Sequence, residues 1–307
     1  MNKLLKNKTA VFLGTSYMVF KCMILSKNVF KKIYFISDKK SLKKKIKYVQ
    51  FINFSSLKKL RVDYLFSILN ERLIQKNILA NVDKLALNFH NGPLPRYSGL
   101  NSSSWSIINK EKKHGCCWHE IQNDIDTGDI ISKENFSISS SMSAYQIDAT
   151  SSLIGIKLFE NILNKIKSNK KIIKRKQNLK KRTYFGKKKL KKFPNLGFLN
   201  FDDTYEKNNR IFRSLNFKDK KKNYILKTKI LINNETFFVK NLNKEKNISS
   251  LKFKAGQIIE VRKSSLVIKV KDSIIKVDLT KNVKKTKNMK LTPVKKINFN
   301  EISKIRK

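Results

Sequence analysis

Short apolar runs alternate along the first half of the chain with stretches whose apolar residues recur every three or four positions, a pattern that predicts an open α/β sheet. Residues 9–13, Thr-Ala-Val-Phe-Leu, close on Gly14-Thr15-Ser16, so a strand is expected to turn there into a helix over 17–25 with Ser16 as its N-cap. Further strands are expected at 33–36, 62–68 and 85–89, and a basic surface helix at 39–47. Residues 102–108 predict a helix behind a proline-rich turn. Residues 115–121 and 130–138 predict paired strands around an acidic turn. In 143–166, Ile147, Leu153, Ile154, Leu158, Ile162 and Ile166 fall at helical spacing, as a long amphipathic helix covering the sheet requires.

The pattern changes in the second half. Short β-type runs at 224–226, 229–232, 236–239, 257–261, 266–270 and 274–279 are separated by polar turns, which predicts a small β-barrel of OB-like type. The expected organisation is an α/β domain over 1–165 with an open, mostly parallel twisted sheet of Rossmann-like type, a linker over 166–195, and a β-barrel domain over 196–307. A chain of 307 residues is long enough to bury two such cores.

Composition narrows the classes. No segment approaches the roughly 18 consecutive apolar residues of a membrane helix, so no membrane partner is expected. The first eight residues lead straight into a strand without the apolar core and cleavage site of a secretion signal, which points to a cytoplasmic location. Three cysteines, two of them adjacent at 116 and 117, fit neither a disulfide framework nor a zinc site and read as core thiols.

The formal net charge of +47 has two readings. One is an electrostatic footprint for a polyanion such as tRNA. The other is compositional drift, since lysine far exceeds arginine and is spread over almost every element. The exception is 165–192, where fifteen Lys/Arg occur with no Asp/Glu. Such a run must stay solvated, and it reads as a helix end followed by an inter-domain linker.

Ligands of open α/β sheets sit beyond the carboxyl ends of the strands, so residues 67–70 and 88–90 should face one crevice. Asn88 and His90 are two positions apart on a strand and therefore project to the same side. That pair suits acyl transfer to an amine, in which an oxyanion needs a hydrogen-bond donor and the attacking nitrogen must shed a proton. A carboxylate beside the histidine would orient its ring and favour its charged form. Asp126 is the candidate, with Asp124 and Asp129 as rivals. Pro93 and Pro95 stiffen the following turn. Taken alone, Asn-x-His occurs by chance, and a histidine with a distant carboxylate is commonly a structural pair. His114 and His119 are five residues apart, a poor match to metal spacing, so no metal is expected. Gly14-Thr15-Ser16 lacks the Gly-x-Gly-x-x-Gly fingerprint of nicotinamide binding, and the phenylalanines read as core.

Several motifs in the same order resemble the folate-dependent formyltransferase family. They are Val11 to Ser16, the Asp63-Tyr64-Leu65-Phe66-Ser67-Ile68-Leu69-Asn70 segment, Asn88-Phe89-His90 with Gly92-Pro93-Leu94-Pro95-Arg96-Tyr97-Ser98-Gly99, His114 to Glu120, and Asp126-Thr127-Gly128-Asp129-Ile130. The resemblance implies a formyltransferase fold, 10-formyltetrahydrofolate as co-substrate, and Asn88, His90 and Asp126 as the catalytic set. The folate is then expected between Ser67, Ile68, Leu69 and Asn70 on one side and the stretch from Ile121 through Asp124 to Asp126 on the other. Residues 255–261 resemble the open barrel that follows the catalytic domain in methionyl-tRNA formyltransferases. The Asn-Gly-Pro-Leu-Pro and Ser-Gly-Leu-Asn wording is similar to formylation domains attached to nonribosomal peptide synthetases, and a free-standing version of such a domain is expected. The acceptor implied is the amine of an aminoacyl group on a tRNA or carrier protein, the alternatives being an amino sugar nucleotide or an inactive RNA-binding relative.

Overall fold

A computed structural model of the chain describes residues 7–38, 46–218, 227–246, 252–283 and 289–294. Its contacts divide into two units, one of residues 1–106, 111–139 and 146–185, the other of 107–110, 140–145 and 186–307.

Up to residue 185 the elements are β1 (Thr9–Leu13), α1 (Tyr17–Ser26), β2 (Lys32–Ile36), β3 (Gln50–Phe51), β4 (Val62–Ile68), α2 (Lys76–Leu79), β5 (Val82–His90), β6 (Ser98–Gly99), α3 (Ser102–Ile108), β7 (Lys113–Glu120), β8 (Ile130–Ser137), α4 (Ala144–Lys167) and β9 (Tyr184–Phe185). The main sheet runs β3-β2-β1-β4-β5-β7-β8. From β3 to β5 every pair is parallel, and β7 and β8 add antiparallel strands at one side. Both faces are buried, as parallel sheets require. Ala10, Phe12, Phe35 and Phe66 enter a core on one face with α1 and α4, while Val11, Leu13, Ile36 and Leu65 enter a second core on the other.

The helix α4 fixes the strand that matters most. Phe159, Ile162, Leu163 and Ile166 pack with Phe89 and Trp118, and the Trp118 indole donates to the Gly155 carbonyl at 2.9 Å. A Cβ on Gly155 would stand 2.3 Å from the Phe89 ring, so only glycine lets the helix seat this closely on β5. Phe89 lies between Asn88 and His90, and its burial turns those two toward the opposite face. Leu153, expected on the covering face, is exposed instead. Ser16 occupies the N-cap of α1, but its hydroxyl makes no capping bond and is buried without a partner, contrary to the expected cap. The basic helix expected at 39–47 lies mostly outside the described residues.

The linker expected over 166–195 is not a linker at its start. Residues up to Phe185 belong to the first unit. Arg175 exchanges two backbone bonds with Ile130, at 2.8 and 2.9 Å, and β9 pairs in parallel with β6. Lysine content argued for solvation, whereas the backbone and the interspersed Ile172, Gln177 and Phe185 dock.

In the second unit, α5 (Tyr205–Leu215) is capped by Thr204, whose hydroxyl accepts from the Lys207 N–H. A helix was not expected there. The strands β10 (Lys229–Ile232), β11 (Glu235–Glu245), β12 (Ile258–Arg262), β13 (Ser265–Lys269) and β14 (Ile274–Leu279) form an antiparallel sheet in the order β10-β11-β14-β13-β12. Among the described residues its edge strands β10 and β12 are not paired with each other, so the small β-barrel expected here takes the form of an open antiparallel sheet. Leu266, Ile268, Ile275 and Val277 supply its core. The strand expected at 224–226 lies outside the described residues. Among the described residues no helix is long and apolar enough to cross a membrane.

Candidate active site

The end of β5 carries Asn88 and His90, and register brings a third polar residue beside them. In the β5–β7 pair, Asn88 lies opposite His119 and His90 opposite Cys117. His119 Nδ1 is 2.8 Å from the Glu120 carbonyl, which can only accept, so that nitrogen carries the hydrogen. Its Nε2 then accepts from Asn88 Nδ2 at 3.1 Å and orients the amide. The same Nε2 is 3.4 Å from Asp126 Oδ1, and Asp126 Oδ2 is 3.4 Å from His90 Nδ1. Asn88, His119, Asp126 and His90 thus form one contiguous polar cluster.

Asp126 is the carboxylate that the structure brings to His90. It is buried, Asp124 is exposed and Asp129 half-buried. The Gly99 N–H donates to Asp126 Oδ2 at 2.7 Å. Burial, the largest influence, works to raise the Asp126 pKa, but His90, His119 and the Gly99 N–H together hold it well below the usual carboxylate range. Asp126 is therefore ionised. Burial pushes the His90 imidazole below its ordinary range; the Asp126 charge and the Tyr97 carbonyl oppose this, and His119 reinforces it. His90 Nε2 is 2.8 Å from the Tyr97 carbonyl. Both His90 partners are acceptors, so only the protonated ring donates to both at once.

The Pro turn has an identifiable task. A Cβ on Gly92 would lie 2.5 Å from His90 Nε2, so the glycine makes room for the ring. The Leu94–Pro95 peptide is cis. Tyr97 stacks on Phe185 at 5.3 Å and its hydroxyl donates to Glu111 at 2.7 Å. Leu69, Tyr97 and Asp126, which border the site, hold φ of 48, 58 and 58°, values uncommon in residues other than glycine.

The residues expected to hold the co-substrate are divided. Ile121 and Asp124 line a cleft of about 420 Å³ with Leu79, Gln122, Asn123 and Thr127. Ser67 and Ile68 are buried at the end of β4, Ser67 beside Asn88 in the β4–β5 register. Leu69 and Asn70 follow, and Asn70 Nδ2 bonds the Ser67 hydroxyl and the Arg72 carbonyl. Neither these four nor the catalytic candidates line that cleft. A second cleft, about 520 Å³, lies against the ends of β2 and β3 and includes Asp38, Phe54 and Arg72. Among the described residues no group of three or more His, Cys, Asp or Glu is placed to hold a metal ion.

His119 is the residue that sequence reasoning weighed only as a metal ligand and set aside. Its face on β7 is readable from alternation, but its position opposite Asn88 depends on a register that the sequence does not print.

This geometry sits in a recognisable segment. Residues 26–155 match the family model described as formyl transferase. Over 115 residues the chain is 36% identical to the bifunctional polymyxin resistance protein ArnA of Wigglesworthia glossinidia brevipalpis, a stretch that covers 35% of this chain and 17% of that protein. Over 128 residues it is 27% identical to the methionyl-tRNA formyltransferase of Clostridium novyi, covering 42% of this chain and 40% of that one. The matched stretches thus span less than half the length of these curated relatives. In three dimensions the chain resembles WlaRD, a sugar 3N-formyl transferase solved in the presence of dTDP and 5-N-formyl-THF. The TM-score is 0.65 at 19% identity, over 91% of this chain and 99% of that one, a likeness of fold.

Proposed function

We propose that the protein is a 10-formyltetrahydrofolate-dependent N-formyltransferase acting on a primary amine. The observation that carries this reading is the meeting of Asn88, His90 and an ionised Asp126 at the carboxyl end of β5, within a formyltransferase segment. The amine nitrogen attacks the formyl carbon, the carbon–N10 bond breaks, and tetrahydrofolate leaves with the proton that the ammonium sheds. Asn88 has a second amide hydrogen beyond the one given to His119, available to the oxyanion. His90 accepts the proton from the attacking nitrogen and returns it to N10, with Asp126 stabilising the charged ring. Ser67, Ile68, Leu69 and Asn70, with Ile121 and Asp124, hold the folate, and no metal takes part.

For the acceptor we take first an aminoacyl amine on a tRNA or carrier protein. The Asn-Gly-Pro-Leu-Pro turn and the exposed lysines at 187–189, 191 and 192 support it. An amino sugar nucleotide is the second reading, supported by the likeness over 91% of the chain to a sugar 3N-formyl transferase. The five-stranded sheet of the second unit supports an OB-like barrel there. A cytoplasmic site of action is part of the proposal, supported by three buried free thiols, Cys22, Cys116 and Cys117. The test is formyl uptake from 10-formyltetrahydrofolate by aminoacyl-tRNA, carrier-bound amino acids and amino sugar nucleotides in parallel. Uptake by one class names the acceptor. Nucleic-acid binding with no uptake by any class would replace this reading with that of an inactive RNA-binding relative.

A further inference from the structure

The acidic turn that presents Asp126 is not held by its own backbone. Glu120 N–H closes its base on the Asp129 carbonyl at 2.9 Å, and above that bond the turn's carbonyls accept from side chains. Thr127 donates to the Asp124 carbonyl. The Ser98 hydroxyl lies 3.5 Å from the Ile125 carbonyl, and closer donors come from the chain beyond α4. Gln177 Nε2 donates to the carbonyls of Asp126, at 3.0 Å, and Gly128, at 2.7 Å. Arg182 Nη2 donates to the Ile125 carbonyl at 2.9 Å, and its guanidinium lies 4.9 Å from the Tyr184 ring.

The same segment grips the other side of the carboxylate. Thr183 accepts the Tyr97 N–H on its hydroxyl and the Ser98 N–H on its carbonyl, both at 2.9 Å, and Phe185 accepts the Leu100 N–H at 2.8 Å. Those bonds hold Gly99, whose own N–H reaches Asp126 Oδ2. Residues 172–185 thus act as a strap across both loops that meet at Asp126. A left-handed conformation on a residue with a side chain persists only where its surroundings impose it, and here they are Gln177 and Arg182.

We infer that Gln177 and Arg182 are positioning residues for Asp126, fixing the turn so that its carboxylate faces His90 and His119. This rests on the proposed role of Asp126 in formyl transfer. Neither side chain is assigned to touch the reacting atoms. The strap sets the placement of a group that catalysis requires within a fraction of an ångström, so losing one set of bonds should cost about 10-fold in kcat.

The test uses the full-length protein with Gln177→Met and Arg182→Met, which keep side-chain bulk and remove the donors. Each is measured alone and combined with Asp126→Asn. Expected are an approximately 10-fold lower kcat in each single variant and a His90-controlled limb of the pH–rate profile displaced to lower pH, as in Asp126→Asn. Added to Asp126→Asn, either change should have little further effect, because the carboxylate it positions is gone. Should Gln177→Met fail to fold, Arg182→Met, anchored by one carbonyl, carries the test. Wild-type kcat and pH profile in the strap variants, with Asp126→Asn inactive, would overturn the positioning role alone. So would effects that multiply fully with Asp126→Asn. Wild-type turnover in Asp126→Asn itself would overturn the role proposed for Asp126, and this inference with it.

Discussion

At the end of β5, Asn88 and His90 are aimed by the strand itself, with Phe89 between them locked against α4. Across the site, Asp126 is aimed by a turn with no regular structure, three of whose carbonyls accept from side chains about fifty residues further along the chain. The strand needs only local alternation and a packed core to place two functional groups. The turn needs a remote strap, and its placement is only as firm as those hydrogen bonds. A site built in this way pairs a rigid half with a half that can be loosened separately.

The largest expected effect tests the rigid half. Asn88→Ala and His90→Ala should each lower the rate of formyl transfer by about 10² or more, the loss typical of one transition-state hydrogen-bond donor. Steady-state kinetics check this, and folate binding measured by fluorescence titration should survive both changes. Near-wild-type turnover in either variant would remove that residue from the catalytic set.

Asp126→Asn, in the adjustable half, should lower kcat by about 10-fold or more, on the scale of a misplaced or missing catalytic group. The sign of its pH effect is fixed. The carboxylate raises the His90 pKa against the lowering effect of burial, so its loss must shift the limb governed by His90 to lower pH. If Asp124→Asn or Asp129→Asn gives this shift and Asp126→Asn does not, the carboxylate has been misassigned.

A smaller effect, about 5- to 10-fold in kcat, is expected for His119→Leu, which frees the Asn88 amide without removing it. A double variant with Asn88→Ala should be little worse than Asn88→Ala alone. Full multiplication of the two losses would separate His119 from Asn88.

The smallest effect concerns stability beneath the Pro turn. His114 is buried, with Nδ1 on the Ser106 hydroxyl, and burial, the largest influence, pushes its pKa down from 6.5 to about 4. The unfolded chain therefore binds a proton that the folded chain refuses. Stability should fall as pH drops below 6.5 and level off near 4, with a loss of about 2 kcal/mol from this residue between pH 7.5 and 5. Urea unfolding at those two values checks it, and His114→Phe should flatten the dependence.

The strand half was largely legible. Alternation and apolar runs located β1, β2, β4 and β5, and the period-two rule put Asn88 and His90 on one face. The motif wording pointed to Asp126 over its neighbours. Legibility failed where the determinant was not local. The meeting of His119 with Asn88 depends on strand register. The strap was hidden because fifteen Lys/Arg between 165 and 192 dominate its composition, while docking is done by backbone bonds and a few residues among the lysines. In the second unit, Thr204 and Glu206 are helix-start signals, yet α5 was overlooked among surrounding β-type runs.

A single-turnover experiment with 10-formyltetrahydrofolate labelled in its formyl carbon tests most directly whether this site moves a formyl group from folate to an amine. With a competent amine acceptor, the label should pass to the acceptor nitrogen as an amide while tetrahydrofolate is released, and His90→Ala should leave it on the folate. Label that stays on the folate with every acceptor class, or that appears as formate at the same rate with and without an amine, would contradict the account.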